Sequence, residues 1–263
     1  VIGALCDALD REGTTFGLCS IGRDGEAVDA LESSAKPRFR LHAGSFAATA
    51  AGLVPAHPSF EIVDVTDADS ALGPIVFVRA RAAGYVEIAG PPSATALRRI
   101  ANELARRAEF VLVDGAVDRI AALRDGDDGI VIAVGAAAPT IEHAVADVRA
   151  LVRKLALPRF DPARDAVRVG GALTAERAAE FARDAERRQI VVADPTRVAF
   201  GGRTLLTFLE KLDVRCERAL RPIACTVAPR NAVRSFDPRA FARAVADATG
   251  LPAYDVFAGL EAA

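Results

Sequence analysis

A chain of 263 residues, 51% hydrophobic and 26% charged, has a globular rather than a disordered profile and is long enough for one large or two moderate domains. Its formal net charge of -2 offers no global basic field to nucleic acid and no basic tail to a membrane. No apolar run approaches the roughly 20 residues that cross a bilayer, and the first residues lack a basic stretch leading into an apolar core and cleavage site, so the cytoplasm is the expected location.

In residues 2–12, Ile2, Leu5 and Leu9 share one face, with Asp7, Asp10 and Arg11 opposite and Gly13 as a stop, which predicts an opening helix. The sequence contains no methionine, position 1 included. With nothing in front of that helix, Val1 is expected not to be the natural start. "TTFGLCSI" then predicts a strand covered on both faces, and "GRDGE" a charged loop. "PRFRLHAGS" alternates Phe39 and Leu41 against Arg38, Arg40 and His42, as a half-exposed strand does. The small residues through Leu53 predict a short helix. "FEIVDVTD" and "GPIVFVRA" read as strands, the second pairing with "AGYVEIAG" as a hairpin around Ala83 and Gly84.

Leu97, Ile100 and Leu104 give an inward face to a helix over 94–107. "EFVLVDG" and "GIVIAVG" follow as strands, then a long helix marked by Ile141, Val145, Val148, Leu151 and Leu155. Residues 158–171, "PRFDPARDAVRVGG", interrupt the alternation and make the expected internal boundary, separating 1–157 from 158–263. Beyond it the pattern predicts a helix over 174–188, strands "QIVVAD" and "RVAFGG", a helix over 204–212, the strand "IACTV", and a last helix capped by Asp237 with Pro238 at its first position. Strands alternating with helices predict an α/β fold, a mostly parallel sheet flanked by helices.

Four cysteines far apart, without C-x-x-C spacing, predict reduced core thiols. The three histidines are isolated from one another and from the cysteines, which leaves no visible zinc ligand set, and all three read as surface residues.

In parallel sheets ligands bind beyond the carboxyl ends of strands. Four loops there are candidates: 20–26 ("SIGRDGE"), 89–93 ("AGPPS"), 114–119 ("DGAVDR") and 135–140 ("GAAAPT"). Asp114 ends a buried run where a carboxylate could hold magnesium on a rigid strand tip, or where Asp-Gly simply turns the chain. In "GRDGE", Arg23 could meet a phosphate, and Asp24 or Glu26 could bind magnesium or orient a water, against the plain reading of a solvated loop. "AGPPS" and "GAAAPT" offer free backbone N–H groups before helices, although helix starts alone explain them. "TVAPRN" (226–231) reads as a strand-to-loop exit that could also line a base pocket.

The order of "VIGALCDALDREG", a strand, a charged loop, "FVLVDG" and "GIVIAVG" over residues 1–157 resembles P-loop NTPase-like proteins beginning just after their G-K-[ST]-T signature. Dethiobiotin synthetase and the cobyric acid synthases are examples. "SIGRDGE", "GYVEIAGP" and "VDGAVDR" together resemble the small subunit of the reactivase of adenosylcobalamin-dependent lysine 5,6-aminomutase and relatives encoded near ornithine aminomutase.

That resemblance implies a three-layer, P-loop NTPase-like fold. It also implies an accessory nucleotide-binding subunit acting with a MutS-like ATPase to reactivate a cobalamin-dependent aminomutase, with ATP and Mg2+ as ligands. It places nucleotide or partner contacts at Gly22, Arg23, Asp114 and Gly115, catalytic roles at Asp24 and Glu26, and the metal at Asp114 and Asp24. The departure is that no G-x-x-x-x-G-K-[ST] occurs in the chain, so ATP hydrolysis is expected only where such a segment precedes Val1. The alternatives are an ATP-dependent ligase like dethiobiotin synthetase and a scaffold with a decayed site. The oligomeric state is left open, a homodimer included.

Overall fold

A computed structural model describes residues 1–22, 38–115, 129–183 and 188–258. The chain divides into two compact units, Val1–Ala122 and Leu123–Ala263, and the segment 158–171 falls inside the second.

In the first unit α1 (Ile2–Arg11) leads through a short turn, with Gly13 at φ 67°, into β1 (Phe16–Ser20). Then come β2 (Arg38–Leu41), β3 (Phe46–Ala50), β4 (Phe60–Ser70), β5 (Gly73–Ala80), β6 (Gly84–Glu87), α2 (Ala94–Leu104) and β7 (Phe110–Asp114). The main sheet has the order β4-β5-β3-β1-β7, with β1 parallel to both β3 and β7 and with β5 antiparallel to β3 and β4. β2 and β6 form a separate antiparallel pair.

Strand alternation fixes what each face buries. Gly17 and Cys19 of β1 face α2, whose Leu97, Ile100 and Leu104 pack on Ala48, Ile75 and Phe77. Phe16 and Leu18 face the other way, into a cluster holding Cys6 of α1 together with Phe39, Leu41 and Val86 of the small sheet. Each fully buried Phe or Leu there contributes about 1.5–3 kcal/mol.

The two edges of the main sheet differ. β4 carries Glu61, Asp64, Asp67 and Asp69, and its register slips twice, between Ile62 and Asp64 and between Val65 and Asp69. Charges and bulges of this kind discourage another strand from pairing. β7 runs in unbroken five-residue register with β1 and holds four apolar residues in a row, yet Phe110 is 55% exposed and residues 111–114 are half-buried. Among the described residues, a sequence built for the middle of a sheet thus stands at its edge.

The second unit contains β8 (Gly129–Gly135), α3 (Ile141–Leu155), β9 (Ala166–Arg168), α4 (Ala175–Arg183), β10 (Gln189–Val192), α5 (Gly202–Lys211), β11 (Asp213–Cys216), β12 (Arg221–Ala228), α6 (Pro238–Thr249) and β13 (Ala253–Asp255). Its strands make two parallel sheets, β11-β10-β9 and β13-β12-β8. The fold is therefore α/β with mixed sheets and, among the described residues, six α-helices.

Several expectations are corrected. "FAATA" is the strand β3, not a helix: its burial between β1 and β5 overrides alanine's helix preference, and only Ala51–Leu53 make a 3-10 turn. The expected hairpin around Ala83 and Gly84 does not form, because β5 is taken by β3 and β4 while β6 pairs with β2. "RVAFGG" contributes only an isolated bridge from Val198 to Leu173, beside a 3-10 turn that Asp194 caps. His42 is buried, touching the Ser45 hydroxyl and meeting Phe16 edge-on at 5.0 Å. All four cysteines are buried free thiols, as expected. No helix among the described residues is long and apolar enough to cross a membrane.

Candidate functional site

Two of the four candidate loops, 20–26 and 114–119, begin at the carboxyl end of the parallel triplet β3-β1-β7, and a third, 89–93, crosses it after β6. Ser20 pairs with Asp114 in register, and the ladder continues one step further, with the Ile21 amide donating to the Asp114 carbonyl at 3.3 Å. The Gly22 amide then donates to the Pro91 carbonyl at 2.8 Å. Gly22 stands at φ 62°, a left-handed conformation that glycine takes without a Cβ clash.

The segment after β6 is led across this end by a single buried hydroxyl. Thr49 of β3 donates to the Glu87 carbonyl at 2.8 Å and accepts from the Ala89 amide at 3.0 Å. Gly90 then lies against β1 so closely that a Cβ would fall 1.5 Å from the Ser20 carbonyl oxygen. At Gly115 the fit is looser, with Ile21 Cγ2 3.1 Å from the position a Cβ would take. Loops 20–22, 89–91 and 114–115 are thereby tied into one rim. Arg23, Asp24 and Glu26 lie outside the described residues, as do Asp118 and Arg119.

Because Asp114 pairs with Ser20, both side chains take the sheet face that Phe16 and Leu18 turn toward α1. α1 precedes β1 by a short turn and packs on it, so it runs antiparallel to β1 and begins at the strand's carboxyl end. Val1, its N-cap, makes no side-chain capping bond. Burial pushes the Asp114 carboxyl up from its ordinary value, and the Gly115 N–H only partly offsets this. On the opposite face, burial and then the Asp114 charge push the Cys19 thiol up to about 12, which leaves it an inert core thiol.

The Ile21, Gly22 and Ala89 amides are spent on tying the rim together, and what this end of the sheet offers a ligand is one half-buried carboxylate beside the Ser20 hydroxyl. A magnesium ion bound with phosphates takes one or two protein carboxylates and fills its other positions with phosphate oxygens and water. Asp114, held on a rigid strand end beside the Ser20 hydroxyl, fits one such ligand. Among the described residues no cluster of three or more His, Cys, Asp or Glu side chains is placed to hold a metal ion.

The loops at the carboxyl ends of β8 and β12 are tied internally. Asn231 Nδ2 donates to the Ala136 carbonyl at 2.9 Å, Arg234 to the Ala137 carbonyl at 3.0 Å, and Ala136 N to the Ala228 carbonyl at 3.0 Å. Thr140 caps α3 through the His143 amide. "GAAAPT" and "TVAPRN" thus act here as a structural tie. Sequence reading missed Thr49, whose only signal is a hydroxyl within an alanine run, and singled out the loop 89–93 without giving Gly90, a glycine ahead of two prolines, a role of its own. No family model, curated protein or solved structure matches the chain.

Proposed function

We propose that the chain is an accessory subunit of the nucleotide-binding type which, with a larger MutS-like ATPase, supports reactivation of an adenosylcobalamin-dependent aminomutase. The observation that carries the nucleotide part is the junction of Ser20–Gly22, Gly90–Pro91 and Asp114–Gly115 at the start of α1, beyond the carboxyl ends of parallel strands. A phosphate group placed there would meet the first-turn N–H groups of α1, and Asp114 with Asp24 would hold magnesium. Arg23 would contact a phosphate, and Asp24 or Glu26 would sense the terminal phosphate through the charged loop, a switch that requires the ligand to favour one loop conformation. The aminomutase and its ATPase enter through the motifs "SIGRDGE", "GYVEIAGP" and "VDGAVDR".

The deciding experiment is a calorimetric titration of the full-length natural protein with ATP in the presence and absence of magnesium. Magnesium-dependent binding that Asp114→Asn weakens is the expected result, and absence of binding ends the reading. Formation of ADP only when the partner ATPase and inactivated aminomutase are both present fits the accessory role. Substrate-dependent ADP release by the protein alone would instead favour a ligase resembling dethiobiotin synthetase.

A further inference from the structure

Thr49 of β3 stands level with Ser20 and Asp114, the two side chains offered to a ligand. Ser20 and Thr49 lie two positions beyond the registered partners Leu18 and Ala47, and Ser20 pairs with Asp114. Alternation therefore sets all three in one row on one face of the sheet. We infer that Thr49 is a positioning residue of this site, holding Ser20, Gly22 and Arg38 in place relative to Asp114. The inference rests on the nucleotide reading above and adds to it a residue that touches no ligand.

Thr49 is fully buried, and its hydroxyl grips the segment 87–91 through the Glu87 carbonyl at 2.8 Å and the Ala89 amide at 3.0 Å. That segment has two further attachments. At one end Glu87 pairs with Arg38 in the β2-β6 ladder and accepts from Arg38 Nε at 3.2 Å. At the other end the Pro91 carbonyl accepts from the Gly22 amide at 2.8 Å, and Gly90 is pressed against the Ser20 carbonyl with no room for a Cβ. In the chain, Gly22 and Arg38 bracket the stretch that carries Arg23, Asp24 and Glu26. One hydroxyl thus secures the strut to which both bracketing residues are tied.

Packing alone does not call for this hydroxyl. Valine has nearly the shape of threonine and an equal liking for strands, and the neighbours of Thr49 along β3 are the apolar Ala47, Ala48 and Ala50. A valine at 49 satisfies the sheet but leaves the Glu87 carbonyl and the buried Ala89 amide without their partner. The strut must then shift to find new partners, and Gly22 and Ser20 shift with it. Ligating groups have to be held within about 0.5 Å of their working geometry by the residues behind them, so a displaced strut is read as lost affinity.

The test compares Thr49→Val, which keeps the shape and removes the hydroxyl, with Thr49→Ser, which keeps the hydroxyl, and with Ile100→Val, a core change on the opposite face of the sheet. Thr49→Cys set against Thr49→Ser repeats the comparison with a smaller change, a weak donor in place of a hydroxyl. The full-length natural protein and each variant are titrated with ATP and magnesium by calorimetry, and amide exchange at Gly22 and Ala89 is followed by NMR without nucleotide. Thr49→Val and Thr49→Cys should bind about tenfold more weakly and exchange faster at both amides, while Thr49→Ser and Ile100→Val stay close to the parent. If the parent binds and the hydroxyl-lacking variants bind equally well, or if their Gly22 exchange is unchanged, the positioning role is overturned and the nucleotide reading stands. An equal loss of affinity in Ile100→Val makes Thr49 an ordinary core residue and overturns the role as well. A parent that binds no ATP overturns the nucleotide reading and this inference with it.

Discussion

The α-carbon of Gly90 lies so close to the backbone of Ser20 that an added Cβ would come within 1.5 Å of the Ser20 carbonyl oxygen and 2.4 Å of its carbonyl carbon. Neither partner is the free end of a side chain, so the clash can be relieved only by moving β1 or the 89–91 crossing. Gly90→Ala should therefore cost about 3 kcal/mol or more, read as a lower urea midpoint at unchanged slope. Gly3 is the control. It sits in α1 with nothing within 4 Å of an added Cβ, and Gly3→Ala should stabilise by ~0.5–1 kcal/mol. Equal effects at the two positions would remove the case for a tight crossing.

Asp114 supplies a pH test. Its carboxyl is raised above the ordinary 3.8 by burial, with the Gly115 N–H opposing. The folded state therefore holds this proton more tightly than the unfolded state. The penalty of the buried charge is absent below about pH 3.8 and appears as pH rises through the folded value. Asp114→Asn should match the parent in urea stability at pH 3 and exceed it at pH 7. If magnesium and nucleotide bind there, the same substitution should reduce the stabilisation they confer. A variant less stable at pH 7 than the parent would mean that an attractive partner, not desolvation, governs this carboxylate.

The helices α1, α3 and α6 were legible because amphipathic spacing and end signals agree in them, as with Asp237 accepting from the Ala240 amide and Gly250 taking the left-handed cap. β3 was not legible, since five residues of which three are alanine carry no strand period. β9, β11 and β13 are three or four residues long, too short for any period to emerge. The rule that ligands gather at carboxyl ends led from sequence to Ser20–Gly22 and Asp114–Gly115. The ties through Thr49 and Gly90 join residues about 40 to 70 positions apart in sequence, and nothing local announces such pairings.

The contrast between the sheet edges predicts different behaviour in solution. β4 is guarded by carboxylates and bulges, whereas β7 presents Phe-Val-Leu-Val without a charge before Asp114. The outward amides of β7 should exchange hydrogen faster than those of β1 or β3, which are paired on both sides. Phe110→Lys should suppress concentration-dependent association measured by light scattering while shifting stability by less than about 1 kcal/mol, because Phe110 is 55% exposed. Slow exchange throughout β7 in dilute protein would mean that something already covers this edge.

At the carboxyl end of β10, Asp194 has a side chain only 7% exposed, receives the Thr196 amide at 3.0 Å and pairs with Arg218 Nη2 at 2.6 Å. The carboxylate serves as a cap for the 3-10 turn and as the anchor of an ion pair, and the two roles can be separated. Asp194→Asn keeps an acceptor for the Thr196 amide but loses the charge, whereas Asp194→Ala loses both and should cost about 2–4 kcal/mol. Arg218→Ala leaves the buried carboxylate uncompensated. It should therefore be more damaging alone than when combined with Asp194→Asn, since the second change removes the stranded charge. Denaturant midpoints of the two single variants and the double variant close the cycle. Simple additivity would mean that the pair contributes no coupling and that Asp194 acts only as a cap.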